Sequence, residues 1–225
     1  QKEAPALQEP HSPRLRINED LLSRGEVVRM GNHVPGSGVP VLAVAFSPNG
    51  SILASGNHEG LIQFWNAATG DEMERIQTAR TFVTAIAFGP TGKSIVSANW
   101  EDVAHVWALG TSPERAVWEV KPAEFARAVA FSADGKTVAT GGDKAVCLWD
   151  PTTGRRLVRL EGHGNQVRSL AYSPDGKRLA SAGQDDTVRV WDLATTAEIY
   201  RDSGHTSGVR SLAFTPEGKI LPWGD

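Results

Sequence analysis

The sequence predicts an all-β protein built from repeated units, each of which folds into a sheet of four short antiparallel strands. Its 225 residues include 23 glycines and 13 prolines, a turn-rich composition typical of many short strands. Apolar segments that end in turn residues recur along the chain, and their aromatic residues are 41 to 43 positions apart: Phe46, Phe88, Phe131, Tyr172 and Phe214. A second set is spaced by 42 residues throughout: Trp65, Trp107, Trp149 and Trp191.

This period is that of a β-propeller blade, in which four strands form one sheet. From residue 166, VRSLAYS alternates small and apolar residues and ends at the turn SPDG, where Pro fixes φ and Gly accepts positive φ. KRLASAG then predicts the second strand and TVRVWD the third, while RRLVRLEG of the preceding unit is typical of a fourth. The stretch AATGDEMERIQ contains good helix formers, but Gly70 interrupts it and a strand is the favoured interpretation.

The repeats also predict the domain organisation. Residues 1–24 contain three prolines and no periodicity, so we expect an N-terminal arm or linker. Residues 25–225 are expected to form the propeller. It begins with a lone fourth strand at 26–30, and its repeats lie at about 41–77, 81–120, 125–161, 166–202 and, in part, 208–225.

Four nearly full blades and a partial fifth predict an incomplete or assembling ring, because a propeller closes with a whole number of blades. The unit of Phe214 predicts its third-strand Trp at about position 233, beyond Asp225. Pro222 stands where a second strand should continue, so Trp223 is not interpreted as a repeat Trp. Self-association is expected if the ring is incomplete.

Composition narrows the classes of function. A formal charge of −3 argues against a general nucleic-acid binder, and no apolar run approaches the ~20 residues of a membrane span. The single cysteine, Cys147, allows no intrachain disulfide and alternates with apolar neighbours as a core residue does. A cytoplasmic location is the favoured one, with export as the alternative if a leader was removed before Gln1.

No reaction centre is predicted. Ser181, His163 and Asp185 are the residue types of a catalytic triad, but Ser181 lies in an alternating strand and its hydroxyl recurs in the other units at Ser55, Ser97 and Thr140. The histidines form no closely spaced metal-binding pair, and the glycine-rich stretch GNHVPGSG lacks the Lys of a phosphate loop. We therefore expect no catalytic, cofactor-binding or metal-binding residues.

Three motifs carry a family resemblance: GH at 162–163, SPDG at 173–176 and VWD at 190–192. With their recurrence over about residues 26–221, the chain resembles the WD-repeat β-propeller family, and its turns look like those of bacterial members. The resemblance implies a hydrogen-bonded structural tetrad of His163, Ser181, Asp185 and Trp191.

The other units depart from the pattern of the resemblance. Their turn positions hold Glu59, Glu101 and Asp143, and their His positions hold Ser37, Ala79 and Pro122. His33 is the alternative for the first unit, and His205 has no repeat Trp to follow it. The early blades are therefore expected to depend more on apolar packing.

The resemblance also implies a binding face, where the second turns and the starts of the first strands meet around the central channel. The matching residues are His58, Phe82, Trp100, Phe125, Arg127, Arg168, Gln184 and Arg210. Aromatic and Arg side chains are enriched at binding hot spots. We expect a non-catalytic scaffold for a protein or peptide partner, without nucleic acid or membrane. The alternative is a propeller domain of a larger enzyme or sensor.

Overall fold

The computed structural model describes residues 39–78, 81–101, 103–110, 116–120 and 126–223. Within these ranges the chain forms eighteen β-strands and no helix. The strands form four four-stranded antiparallel sheets and one two-stranded sheet, which confirms the all-β fold of four blades and a partial fifth. The predicted arm at 1–24 and the predicted strand at 26–30 lie outside the described residues.

Each blade follows the chain in a simple meander, so that strands adjacent in sequence are paired in the sheet. Blade 1 contains β1 Val41–Phe46, β2 Ile52–Asn57, β3 Leu61–Asn66 and β4 Glu72–Gln77. Blade 2 contains β5 Val83–Phe88, β6 Ser94–Asn99, β7 Ala104–Ala108 and β8 Ala116–Val120. Blade 3 contains β9 Ala128–Phe131, β10 Val138–Gly141, β11 Ala145–Trp149 and β12 Arg156–Glu161. Blade 4 contains β13 Val167–Tyr172, β14 Arg178–Gly183, β15 Val188–Asp192 and β16 Glu198–Asp202. The fifth unit contains β17 Ser211–Phe214 and β18 Ile220–Trp223.

Local turn chemistry closes the first hairpin of each blade. In blade 4 the Gly176 N–H donates to the Ser173 carbonyl at 2.9 Å, and Gly176 adopts φ 68°, which glycine accepts without a Cβ penalty. The Ser173 hydroxyl receives the Arg178 N–H at 2.9 Å. The residues SPDG therefore specify a reversal that starts β14 in the correct register.

The core lies between neighbouring blades. Ile62 and Phe64 of blade 1 pack against Ile86 and Phe88 of blade 2, and similar clusters join blades 3 and 4 and blade 4 to the fifth unit. The first strands β1, β5, β9, β13 and β17 are neighbours in that order. This arrangement brings the starts of all the first strands to one end of the channel.

The first described blade exposes a face that the next blade buries. Val44 and Phe46 on β1 are 62% and 61% exposed, whereas Ile86 and Phe88, their counterparts 42 residues later, are each 8% exposed. Among the described residues no blade covers this face, as expected of an incomplete ring.

The expectation that Pro222 interrupts the second strand of the fifth unit was wrong. β18 runs through Pro222, which lies opposite Leu212, and Trp223 lies in this second strand. A proline lacks an N–H and is tolerated in a strand only where no neighbouring strand needs that donor. In the described part of the fifth unit, β18 pairs with β17 alone, so this condition is met.

Candidate functional site

A cavity of about 530 Å³ opens at the end of the channel where the first strands begin. One position of the repeat contributes a side chain to it from every described unit. These residues are Leu42, Thr84, Arg127, Arg168 and Arg210, spaced by 41 to 43 residues. Each described unit therefore contributes one equivalent side chain to the cavity. The residue type at this repeat position determines the polarity and charge of the lining.

Bulges in three of the first strands present the side chains of Leu42, Thr84 and Arg168. The pairing of β1 with β2 shifts register between Val41 and Ala43, and that of β13 with β14 shifts between Val167 and Ser169. Leu42 and Arg168 are thus left without an opposite residue, and β5 has the same shift at Thr84. A bulge redirects the side chain of its extra residue, here towards the channel.

Backbone hydrogen bonds fix the second turns beside the first strands. The His58 N–H donates to the Pro40 carbonyl at 3.1 Å, and the Trp100 N–H donates to the Phe82 carbonyl at 3.0 Å. In blade 4 the Gln184 N–H donates to the Gln166 carbonyl at 2.8 Å. Turn residues that would be mobile in isolation are therefore held at the rim of the cavity.

Aromatic rings form a row across one side of the cavity. His58 stacks on Phe82 with ring centroids 3.3 Å apart, and Phe82 meets Trp100 edge to face at 5.5 Å. The Arg127 guanidinium lies over the Trp100 ring, 3.7 Å from its centroid. Trp100 remains 49% exposed despite these contacts. The row holds a large apolar surface in a defined orientation at the protein–water boundary.

The other side of the cavity is basic. None of the described residues that line the cavity is acidic. Three of them are arginines: Arg127, Arg168 and Arg210. The Arg168 Nε atom is buried and has no hydrogen-bond partner among the described residues. The nearby turn carboxylates accept backbone hydrogen bonds: Asp185 accepts the Gly164 N–H at 2.8 Å, and Asp186 accepts the N–H of the cavity-lining Gly208 at 2.6 Å.

The structure brings together seven of the eight residues predicted for a binding face. Phe125, the eighth, lies outside the described residues. Sequence reasoning missed Leu42, Thr84 and the segment 207–209, which also line the cavity. The signal for the first two was available, because they occupy the repeat position of the three arginines. The seven are His58, Phe82, Trp100, Arg127, Arg168, Gln184 and Arg210.

The second group of predicted residues, the tetrad, lies inside blade 4. The Trp191 Nε1–H donates to the Ser181 hydroxyl at 2.9 Å, and that hydroxyl lies 2.7 Å from His163 Nε2. His163 Nδ1 lies 2.9 Å from an Asp185 carboxylate oxygen. Strands β14 and β15, the turn between them and the loop before β13 are thereby joined by one chain of hydrogen bonds.

Burial sets the protonation of this network. It lowers the pKa of His163 below its ordinary value, and this effect outweighs the neighbouring Asp185 carboxylate, which acts in the opposite direction. For Asp185, burial alone would raise the pKa, but hydrogen bonds from Gly164, His163 and Thr187 outweigh it and the pKa is lowered. A neutral imidazole that donates from Nδ1 to a carboxylate and accepts at Nε2 from Ser181 satisfies every partner.

The Ser–His–Asp geometry does not form an accessible nucleophile. Ser181 is 0% exposed, and its oxygen already receives the Trp191 N–H. The same bond from indole to hydroxyl recurs at 2.8 to 2.9 Å in the other blades, from Trp65 to Ser55, from Trp107 to Ser97 and from Trp149 to Thr140. A bond repeated in every full blade has a structural role.

Blades 1 and 2 cap their second turns with an asparagine that sequence reasoning missed. The side-chain oxygen Oδ1 of Asn57 accepts the Glu59 and Leu61 N–H groups at 2.9 and 3.0 Å. Asn99 does the same for Glu101 and Val103 at 3.1 and 3.0 Å. Each Asn follows its strand hydroxyl by two residues, a recurrence visible in the sequence. The turn therefore keeps a side-chain cap where the acidic position holds Glu.

Neither a metal site nor a membrane-spanning helix is found in the part of the chain that the structure describes. It contains no cluster of three His, Cys, Asp or Glu side chains placed to hold a metal ion. It also contains no helix of the length and apolarity that crossing a membrane requires.

Comparison with protein families gives one match. The WD40 family, described as WD domain, G-beta repeat, matches residues 28–66, 122–150, 154–192 and 197–221. These segments make up more than half of the chain and include the third-strand tryptophans Trp65, Trp149 and Trp191.

Curated relatives match over parts of their length. WD repeat-containing protein SL1-17 of Schistosoma mansoni is 29% identical over 161 residues, which are 71% of this chain and 39% of that protein. A WD repeat-containing protein of Schizosaccharomyces pombe is 29% identical over 154 residues, 68% of this chain and 26% of that protein. The U5 small nuclear ribonucleoprotein 40 kDa protein of Pongo abelii is 39% identical over 56 residues, 24% of this chain and 16% of that protein. The chain thus spans well under half the length of these relatives. All three are eukaryotic and give no support to the expected bacterial type.

Proposed function

Because this chain belongs to the WD40 family, whose members generally act as protein-interaction scaffolds, we propose that it binds a protein or peptide partner at the channel-mouth cavity. We define the channel-mouth cavity as the space lined by the repeat position of Leu42 and Arg168 together with the second turns that carry His58 and Trp100. The proposed role is a non-catalytic scaffold, in which rigid blades present this surface.

One observation carries the proposal: Trp100 is held half exposed where it has no core to fill. Its ring is fixed by Phe82 on one side and Arg127 on the other, so little conformational entropy is lost when a partner covers it. Trp and Arg are the residue types that dominate binding hot spots. A cavity of about 530 Å³ lies within the range of sites that receive side chains or small ligands.

The names of relatives agree with a role in assemblies. One similar protein is named as the 40 kDa protein of the U5 small nuclear ribonucleoprotein, and another as ribosome assembly protein 4. This chain resembles both proteins in its repeats. Such repeats therefore occur in proteins that are named for multi-component assemblies.

Affinity measurement on matched variants tests the proposal. The chain is used to capture partners from an extract of its source organism, the captured partner is purified, and its Kd is measured by calorimetry for the parent and for Trp100→Ala and Arg127→Ala. Truncation of a hot-spot residue costs about 2 kcal/mol or more, so we expect Trp100→Ala to weaken binding roughly 30-fold.

Tyr200→Ala is the matched control, because Tyr200 is an aromatic residue that is 55% exposed on the outer strand β16 and does not line the cavity. It should leave the Kd unchanged, and urea unfolding should confirm that all the variants are folded. Equal affinity of Trp100→Ala, Arg127→Ala and the parent for the partner would show that binding occurs elsewhere and would refute the proposal.

A further inference from the structure

We infer that the segment recognised at the channel-mouth cavity is acidic: an extended peptide whose Asp or Glu carboxylates contact Arg168 and Arg210 while an apolar side chain packs on Phe82 and Trp100. The inference rests on the proposed function and adds the chemistry of the partner.

The repeat position that lines the cavity changes from uncharged to positive along the chain. It holds Leu42 in blade 1 and Thr84 in blade 2, then arginine in blades 3, 4 and the fifth unit. Since successive blades are neighbours around the channel, the arginines occupy one continuous arc. The aromatic row occupies the other arc, so the cavity is apolar on one side and positive on the other.

Two arginines of the basic arc, Arg168 and Arg210, carry the next step. Neither Arg168 nor Arg210 forms an ion pair with a described carboxylate, and Arg168 Nε is buried without a hydrogen-bond partner among them. A guanidinium stays charged at any physiological pH, and the buried Arg168 Nε–H needs an acceptor, whereas Arg210 is exposed and can meet a charged partner directly. A carboxylate satisfies both requirements, because its two oxygens match the two parallel N–H groups of an arginine.

The two arcs together favour a peptide over a nucleic acid. The chain as a whole carries a formal charge of −3, so it lacks the broad positive field that a phosphate backbone requires. At the cavity, arginines instead lie beside an exposed indole, since Trp100 is 49% exposed. An apolar anchor next to one or two carboxylates fits this layout.

Selection from a peptide library tests the inference. A phage-displayed library of random decapeptides is selected on the full chain. The enriched sequences are then synthesised in two forms, one as selected and one with every Asp and Glu replaced by Asn and Gln. We expect enrichment of acidic residues near an apolar one, and a loss of affinity of roughly tenfold to hundredfold in the amide form, as for loss of charged hydrogen bonds.

Charge reversal supplies the matched variants. Arg168→Glu and Arg210→Glu should each abolish the preference for the acidic form, whereas Arg156→Glu, which makes the same charge change at an exposed position on β12, should retain it. Circular dichroism and urea midpoints check folding, and Arg168→Gln replaces Arg168→Glu if the latter does not fold.

The outcomes separate the two proposals. Cavity-dependent peptides without acidic enrichment, or equal affinity of the acid and amide forms, would refute the inference and leave the proposed function standing. Selected peptides that bind Trp100→Ala as well as they bind the parent would refute both. Tighter binding of single-stranded oligouridine RNA than of any acidic peptide, lost in Arg168→Gln, would overturn the inference in favour of a nucleic acid.

Discussion

Removing the Ser181 hydroxyl should destabilise the protein more than removing the equivalent hydroxyl from blade 2. Ser181→Ala leaves two buried groups without a partner, the Trp191 indole N–H and His163 Nε2. Ser97→Ala leaves one, the Trp107 indole N–H. An unsatisfied buried polar group costs about 1–3 kcal/mol, so the expected losses are about 2–6 kcal/mol for Ser181→Ala and about 1–3 kcal/mol for Ser97→Ala.

Urea unfolding at pH 7.5, followed by tryptophan fluorescence, measures this difference in the free energy of unfolding. The two variants delete the same hydroxyl from equally buried serines, which are 0% and 3% exposed. The small cavity left behind should therefore lower the free energy of unfolding by the same amount in both variants. Equal losses, or a smaller loss for Ser181→Ala, would show that His163 does not add to the stability of blade 4. An unchanged free energy of unfolding in Ser181→Ala would contradict the structural role of the whole tetrad.

Three other predictions concern pH and packing. Because burial lowers the pKa of His163, protonation of this residue favours the unfolded state, and stability should fall as the pH drops below about 6.5. Urea unfolding at pH 7.5 and 5.5 should show a smaller fall in the free energy of unfolding for His163→Gln than for the parent. Burial raises the pKa of Tyr172 to about 12, so the unfolded chain releases this proton first and stability should fall as the pH rises from 10 to 12, less so in Tyr172→Phe. A Cβ at Gly141 would lie 2.7 Å from Val167 Cγ1, so Gly141→Ala should lower the free energy of unfolding by about 1–3 kcal/mol. In the control Gly164→Ala the nearest contact of the new Cβ is at 3.5 Å, and the change should be less than about 0.5 kcal/mol. Equal thermal midpoints for the two variants would contradict this prediction.

The strands and blades could be predicted from the sequence because their causes are local or repeated. Alternation of apolar residues indicates a strand, and a turn such as Ser173 to Gly176 specifies the reversal by itself. The recurrence of Trp191 and its counterparts every 42 residues then establishes the blade as the unit. Pro222 was misjudged because its effect depends on which strands pair beside it, and the sequence does not state that.

The cavity was predicted through residue type and therefore only in part. Aromatic and Arg residues near strand starts were selected, which found Trp100 and Arg168 but omitted Leu42 and Thr84. The bulges that direct these residues arise from a shift in strand register, and register is a property of the pair of strands. The caps at Asn57 and Asn99 were missed because an acid was sought at one fixed turn position.

Hydrogen exchange of the full chain with its captured partner tests most directly whether the channel-mouth cavity is the binding surface. Protection on binding should appear in the second turns at 58–60, 100–101 and 184–186 and in the loop at 205–208, all on the cavity side. The opposite end of the blades is marked by the turns at 47–51 and 66–71, which are joined by the hydrogen bond from the Ala67 N–H to the Ser51 carbonyl. Protection confined to that end, or to the outer strands β4, β12 and β16, would contradict the account.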